Sequence, residues 1–114
     1  MSEENKAAFR RYIEIWAKGE VDRLGEVLGP GYVGHSGSNP DWDEDAAQVA
    51  TRIAGYHAAH PDVEVEIQDQ VAEGERVATR MVAREQGRSV AGFNVSRFAD
   101  GKVVEEWALW ERFS

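Results

Sequence analysis

The sequence predicts an α+β fold in which N-terminal helices pack on one face of a curved antiparallel sheet. Three observations predict it. Apolar residues recur at helical spacing only up to His60-Pro61-Asp62, beyond that point they alternate with period two, and turn signals cut the second part into about four consecutive strands. At 114 residues, with no Pro-, Ser- or Gly-rich stretch dividing it, the chain is expected to form one domain over residues 1–114.

Phe9, Tyr12, Ile13 and Trp16 stand at i, i+3, i+4 and i+7 and give a first amphipathic helix with an aromatic stripe, expected to end near Gly19. Val21, Leu24, Val27 and Leu28 suggest a second, shorter helix stopped by Gly29-Pro30-Gly31, which leaves only a short strand at Tyr32-Val33. Residues 34–45 read as a loop. Its Asp41, Asp43, Glu44 and Asp45 place negative charge ahead of the next helix, where the helix dipole favours it; capping and solvation explain this run better than a metal site. Ala46, Val49, Ala50, Ile53 and His57 share one face of a third helix, which ends before Pro61 because a residue preceding proline is disfavoured in the helical region. In the second half Val63, Val65 and Ile67 alternate with Glu64, Glu66 and Gln68, the pattern of a sheet with one wet and one dry face. Glu73-Gly74-Glu75 turns the chain, residues 77–85 and 89–98 form two longer strands, and Asp100-Gly101 makes the hairpin before a last strand over 102–113.

The net charge of −8 repels phosphate backbones and anionic lipid surfaces, so no nucleic-acid or membrane partner is expected. No apolar run approaches the roughly 20 residues that span a bilayer. The start, Met1-Ser2-Glu3-Glu4-Asn5-Lys6, has neither the basic nor the apolar region of a signal peptide, and a cytoplasmic location is expected. Without cysteine there is no disulfide, thiolate nucleophile or Cys-ligated metal. Three histidines, of which His57 and His60 lack a third ligand at recognisable spacing, do not make a zinc site, so no metal and no cofactor is expected.

The stretch Arg11-Tyr12-Ile13-Glu14-Ile15-Trp16-Ala17-Lys18-Gly19-Glu20-Val21-Asp22 resembles the first helix and turn of ketosteroid isomerases and their relatives. His60-Pro61-Asp62, Ala72-Glu73-Gly74-Glu75-Arg76-Val77-Ala78 and Arg97-Phe98-Ala99-Asp100-Gly101-Lys102-Val103-Val104-Glu105-Glu106-Trp107 are similar to the SnoaL-like polyketide cyclase branch of the same nuclear-transport-factor-2-like superfamily. The resemblance implies a cone of three N-terminal helices on a curved sheet, enclosing a pocket for a small molecule. It does not imply one reaction, because the superfamily hosts isomerases, cyclases, dehydratases, hydrolases and non-catalytic binders. The isomerase pattern puts Tyr12 at the oxyanion-hole tyrosine, His35 at the catalytic aspartate and Asn94 at the second, protonated carboxyl donor. The cyclase pattern commonly has an acid/base aspartate after the last-strand tryptophan, where this chain has Ala108.

The chemistry of these residues is coherent. Histidine accepts a proton near neutral pH, and an asparagine amide donates to an oxyanion without a shifted pKa. His35 follows Tyr32-Val33 among Gly34, Ser36 and Gly37, a setting in which functional groups are displayed, or else is a solvated loop histidine. Tyr12 reads equally as a pocket donor or a core tyrosine; Asn94, unfavourable in a strand, reads as an amide with a specific partner or as an outward-facing asparagine. Glu106 shares a face with Ala108 and Trp110, and Glu105 is its mirror image; parity alone does not say which meets the cavity. Trp16, Tyr32, Trp110 and Phe93 or Phe98 are candidates for the pocket wall, and His57 is either a pocket residue or a satisfied core histidine. Trp42 covers the pocket mouth or a partner surface.

The expected function is that of a cofactor-independent isomerase or aldol-type cyclase acting on a hydrophobic carbonyl-containing or polycyclic compound. His35 would be the base and Tyr12 and Asn94 the oxyanion donors, with Glu106 the alternative acid/base group. The rival is a non-catalytic ligand-binding or dimerisation domain of the same fold, which Ala108 favours. A homodimer formed through the sheet is expected from the apolar alternation of residues 77–85 and 89–98.

Overall fold

In a computed structural model the chain is described over residues 2–37 and 39–111. Helix α1 spans Ser2–Lys18 and buries Phe9, Tyr12, Ile13 and Trp16 together with Ala8 and Ile15. Its end is a Schellman motif: Glu20 N–H donates to Ile15 C=O at 3.0 Å and Gly19 N–H to Trp16 C=O at 3.2 Å, with Gly19 at φ +68. A Cβ at Gly19 would also lie 2.6 Å from Cγ of His57. Gly19→Ala therefore combines left-handed strain with a ring clash and should destabilise the fold by roughly 2–4 kcal/mol in urea titration.

The second predicted helix is a single short 3₁₀ segment, Val21–Glu26, in which Leu24 alone is buried. Gly29-Pro30-Gly31 does not end a helix; it lies inside strand β1, Leu28–Ser36, far longer than the strand expected there. The three residues fall where the pairing of β1 with the last strand shifts register, between Leu28 and Val33, so the missing proline N–H leaves no gap in a regular ladder. A two-residue strand β2, Asp43–Glu44, interrupts the predicted loop, and α2 follows as Ala46–Ala59. Asp45 caps α2 in a reciprocal capping box with Gln48, both hydrogen bonds being 2.8 Å.

Strands β3 (Glu64–Glu73), β4 (Arg76–Glu85), β5 (Arg88–Ala99) and β6 (Lys102–Trp110) form consecutive antiparallel pairs. Gly74-Glu75, Gln86-Gly87 and Asp100-Gly101 make the three tight turns between them; both residues of the last two have positive φ, as a type I′ hairpin turn requires, and in the first Gly74 alone does. The predicted last strand reached residue 113; residues 112–114 lie outside the described residues.

The sheet order is β2-β1-β6-β5-β4-β3. It is not wholly antiparallel, because β1 joins the edge of β6 in parallel. Alternation tells which face of a strand is dry but not which strand it pairs with or in which direction. Val77, Met81, Ala83, Val90, Phe98 and Val103 on the inner face meet Phe9, Ile15, Val49 and Ile53 of the helices in one core. No helix among the described residues is long and apolar enough to cross a membrane.

Candidate functional site

The helices and the concave face of the sheet leave a cavity of about 330 Å³ whose wall includes Tyr12, Trp16, Arg52, Asn94, Glu106 and Trp110. Its polar floor is built on Glu106. In β6 this residue faces inward, level with Ser96 of β5 and Gly34 of β1, and it is only 5% exposed. A carboxylate so placed is tolerable only if hydrogen-bonded. Oε2 accepts from the Tyr12 hydroxyl at 2.6 Å and from the Tyr32 hydroxyl, and Oε1 accepts from Asn94 Nδ2 at 2.7 Å. The Asn94 carbonyl oxygen in turn accepts from Ser96 Oγ at 2.6 Å.

Burial, and then the charge of Glu106, raises the pKa of both tyrosines well above the ordinary phenol value. They are neutral donors that hold the carboxylate, not bases. Helix α1 sets Tyr12 through its buried stripe, and Phe9 supports the ring edge-on with centroids 5.7 Å apart. Trp16 and Trp110 stack at 5.7 Å with 7° between their planes and form an aromatic wall. Ala108, the residue that stands in place of the cyclase aspartate, pairs with Asn94 in the sheet and lines the same cavity.

Beside this cluster lies an ion pair that the sequence did not point to. Glu44 of β2 is 8% exposed and binds Arg52 of α2: Nη2 donates to Oε1 at 2.7 Å, and Nε to Oε1 and Oε2 at 3.0 and 3.2 Å. Both residues line the cavity. Neither carried a signal, because Glu44 sits in an acidic run next to a cap and Arg52 beside the apolar stripe, where charges are ordinarily solvated.

Tyr12, Tyr32, Asn94, Glu106, Trp16 and Trp110 are thus brought together, and four other expectations are corrected. His35 is the most consequential. Although it touches the cavity wall, its ring lies over Trp107, with centroids 5.1 Å apart. Nδ1 is 2.7 Å from Asp43 and Nε2 2.8 Å from Glu105, so neither nitrogen is open to a substrate proton. Strand parity is the cause: Glu105 and Trp107 face away from Glu106, and His35 is level with Trp107. Phe93 is 52% exposed, since it alternates with the inward Asn94. Phe98 is buried in the core level with Val103, outside the cavity wall. His57 packs on Gly19, also outside that wall, with Nδ1 buried and unbonded.

The hydrogen bonds to Glu105 and then Asp43 raise the His35 pKa above 6.5. The hydrogen bond from His35, aided by Arg97, lowers that of Glu105. A group whose pKa is raised on folding stabilises fully below its unfolded value and loses that contribution as pH rises through the folded one. The melting-temperature advantage of wild type over His35→Ala should therefore be present at pH 6 and shrink as pH is raised above about 6.5. An advantage that grew with pH would show that the two carboxylates do not hold an imidazolium.

Among the described residues no group of three or more His, Asp or Glu side chains is placed to hold a metal ion.

The fold is shared with solved structures. IdmH of Streptomyces antibioticus, a candidate polyketide cyclase, is 25% identical with a TM-score of 0.82, the match covering 94% of this chain and 91% of that one. AclR of Streptomyces galilaeus, a candidate hydroxylase, is 25% identical with a TM-score of 0.81, covering 97% and 91%. A candidate polyketide cyclase from Bacillus cereus ATCC 10987 has a TM-score of 0.84 at 17% identity, covering 95% and 74%, and shows the fold alone. Among curated proteins none matches the chain at a significant level. The family profile described as SnoaL-like polyketide cyclase matches residues 6–114, nearly the whole chain, and the protein belongs to that family.

Proposed function

We propose that this protein is a cofactor-independent acid/base enzyme, an isomerase or aldol-type cyclase, acting on a small hydrophobic carbonyl compound of the polyketide kind. One observation carries the reading: a buried carboxylate, Glu106, forms the floor of a cavity walled by stacked tryptophans. Among the described residues its Oε1 has one donor, Asn94, which leaves a lone pair for a proton. Glu106 also faces the cavity from the same strand face as Ala108, two residues earlier than the aspartate of the cyclase pattern, so a carboxylate is retained one inward position away.

In this reading Glu106 removes a proton from carbon α to a carbonyl, and the C–H electron pair moves to leave an enolate. An isomerase returns the proton at another carbon. A cyclase lets the enolate carbon attack a second carbonyl of the same molecule, and the alkoxide formed takes the proton back from Glu106. The first step is measurable without the natural substrate. Planar tricyclic ketones incubated with the protein in D₂O should lose their α-protons faster than in buffer, followed by NMR, and Glu106→Gln should remove the acceleration. Ketones that bind but exchange at the buffer rate would instead support a binding domain. That second reading is favoured by the three donors bound to Glu106 among the described residues, a pattern that a purely structural carboxylate shares.

The outer face of the sheet supports a homodimer. Register places Val71, Ala78, Val95 and Trp107 in one row and Phe93 and Leu109 in the next, with Val71, Phe93, Val95 and Leu109 exposed. The inner alternation of β4 and β5 is already covered by helices, so this opposite face is the one available to a second copy. Sedimentation at micromolar concentration should give twice the chain mass of 12.7 kDa; a monomer would exclude the dimer.

A further inference from the structure

Proton removal by Glu106 creates an oxyanion, and the hydroxyl donors around Glu106 are already engaged. Tyr12 and Tyr32 have one O–H each, and both are given to Glu106. Asn94 gives it one of two amide hydrogens. A neutral amide hydrogen is a weak counterpart for a full negative charge.

Arg52 is different. Among the described residues it is the only arginine or lysine in the cavity wall. Glu44 takes the Nε/Nη2 edge of the guanidinium, whereas Nη1 has no partner among the described residues. The planar fork thus presents Nη1–H and the outer Nη2–H, a second edge suited to one oxyanion or a pair of coplanar oxygens. Glu44, buried and bound through both oxygens, fixes the plane.

We propose that Arg52 is a further catalytic residue of this site, the electrophile that receives the substrate oxygen as it becomes negative, with Glu44 as its positioning residue. The inference rests on the reading of Glu106 as base. Before proton transfer the negative charge sits on Glu106 and the substrate carbonyl is neutral; afterwards Glu106 is protonated and the charge lies on oxygen beside Arg52. The attraction therefore grows along the reaction, the condition for an interaction to accelerate it. It also sets the ligand class: planar molecules with an enolisable carbonyl, an enol or a phenol are preferred to uncharged hydrocarbons of the same shape.

A phenol whose absorbance differs between its neutral and ionised forms tests this, 7-hydroxycoumarin being the probe, at a pH where the free dye is almost wholly neutral. Bound to wild type it should absorb as the phenolate. Arg52→Met combined with Glu44→Gln, which leaves no buried carboxylate unpaired, should lower the ratio of ionised to neutral bound dye by about tenfold or more. Arg52→Lys, which keeps the charge and loses the fork, should fall between, and serves if the double variant does not fold. Glu106→Gln removes a like charge and should raise the ratio. Neutral dye on wild type, no binding up to millimolar dye, or an unchanged ratio in both Arg52 variants overturns the proposal; loss of phenolate in Asn94→Ala alone moves the oxyanion to Asn94 and overturns it too. If Glu106→Gln leaves α-proton exchange intact while the dye still ionises on Arg52, the base assignment falls and the Arg52 site stands.

Discussion

Glu106→Gln is expected to slow α-proton exchange by about 10²–10⁴-fold, the usual contribution of a positioned general base. The amide cannot take the proton, yet the surrounding network can survive. Tyr12 and Tyr32 can still donate to the Gln carbonyl oxygen. Asn94 need only turn its amide over, so that its carbonyl faces the new N–H and its N–H₂ faces Ser96 Oγ, which accepts as well as donates. The change in stability should stay within about 1 kcal/mol, read by urea titration. Glu106→Ala makes the useful contrast, because three donors lose their acceptor in a buried site and stability should fall by several times ~1 kcal/mol. A Glu106→Gln variant that is stable, binds ketone and exchanges at the wild-type rate would remove Glu106 from the chemistry.

Phe9→Ala should produce the largest loss of stability, about 3–5 kcal/mol, with a fall in melting temperature of roughly 12 °C or more. Phe9 is 0% exposed, so truncation opens a cavity inside the main core. Its ring also meets Tyr12 edge-on at 89°. Ligand binding should weaken in the same variant, because Tyr12 loses the support that aims its hydroxyl at Glu106. Phe93→Ala is the control: at 52% exposure it should cost a monomer less than about 1 kcal/mol, and any larger effect should appear in the dimer equilibrium. Equal losses from Phe9 and Phe93 would mean that the core is not where the structure puts it.

The aromatic stripe of α1, the capped start of α2, the turns at Gly74-Glu75 and Asp100-Gly101 and the wet and dry faces of β3 to β5 were all legible, since each is written in residues close together in the chain. The site was half legible. Tyr12 was reachable from its place on a buried helical stripe, and Glu106, Ala108 and Trp110 from strand parity. The choice between Glu106 and Glu105 was not, and neither was the placement of His35. Asn94 and Phe93 posed the same problem, being adjacent residues of one strand with opposite destinations.

An α+β chain with an aromatic helix and a run of antiparallel strands, lacking any thiol, could be read from the residues alone. Those properties follow from local periodicity, turn chemistry and residue inventory. Chain packing set β1 parallel beside β6, which puts His35 level with Trp107 on the outer face and Gly34 level with Glu106 on the inner one. The same packing paired Arg52 with Glu44 across a helix start and turned the dry side of the last strand toward Tyr12 and Tyr32. Alternation has period two and carries no sign: it groups residues into two sets, and the partner strand and the packed helices choose which set is buried.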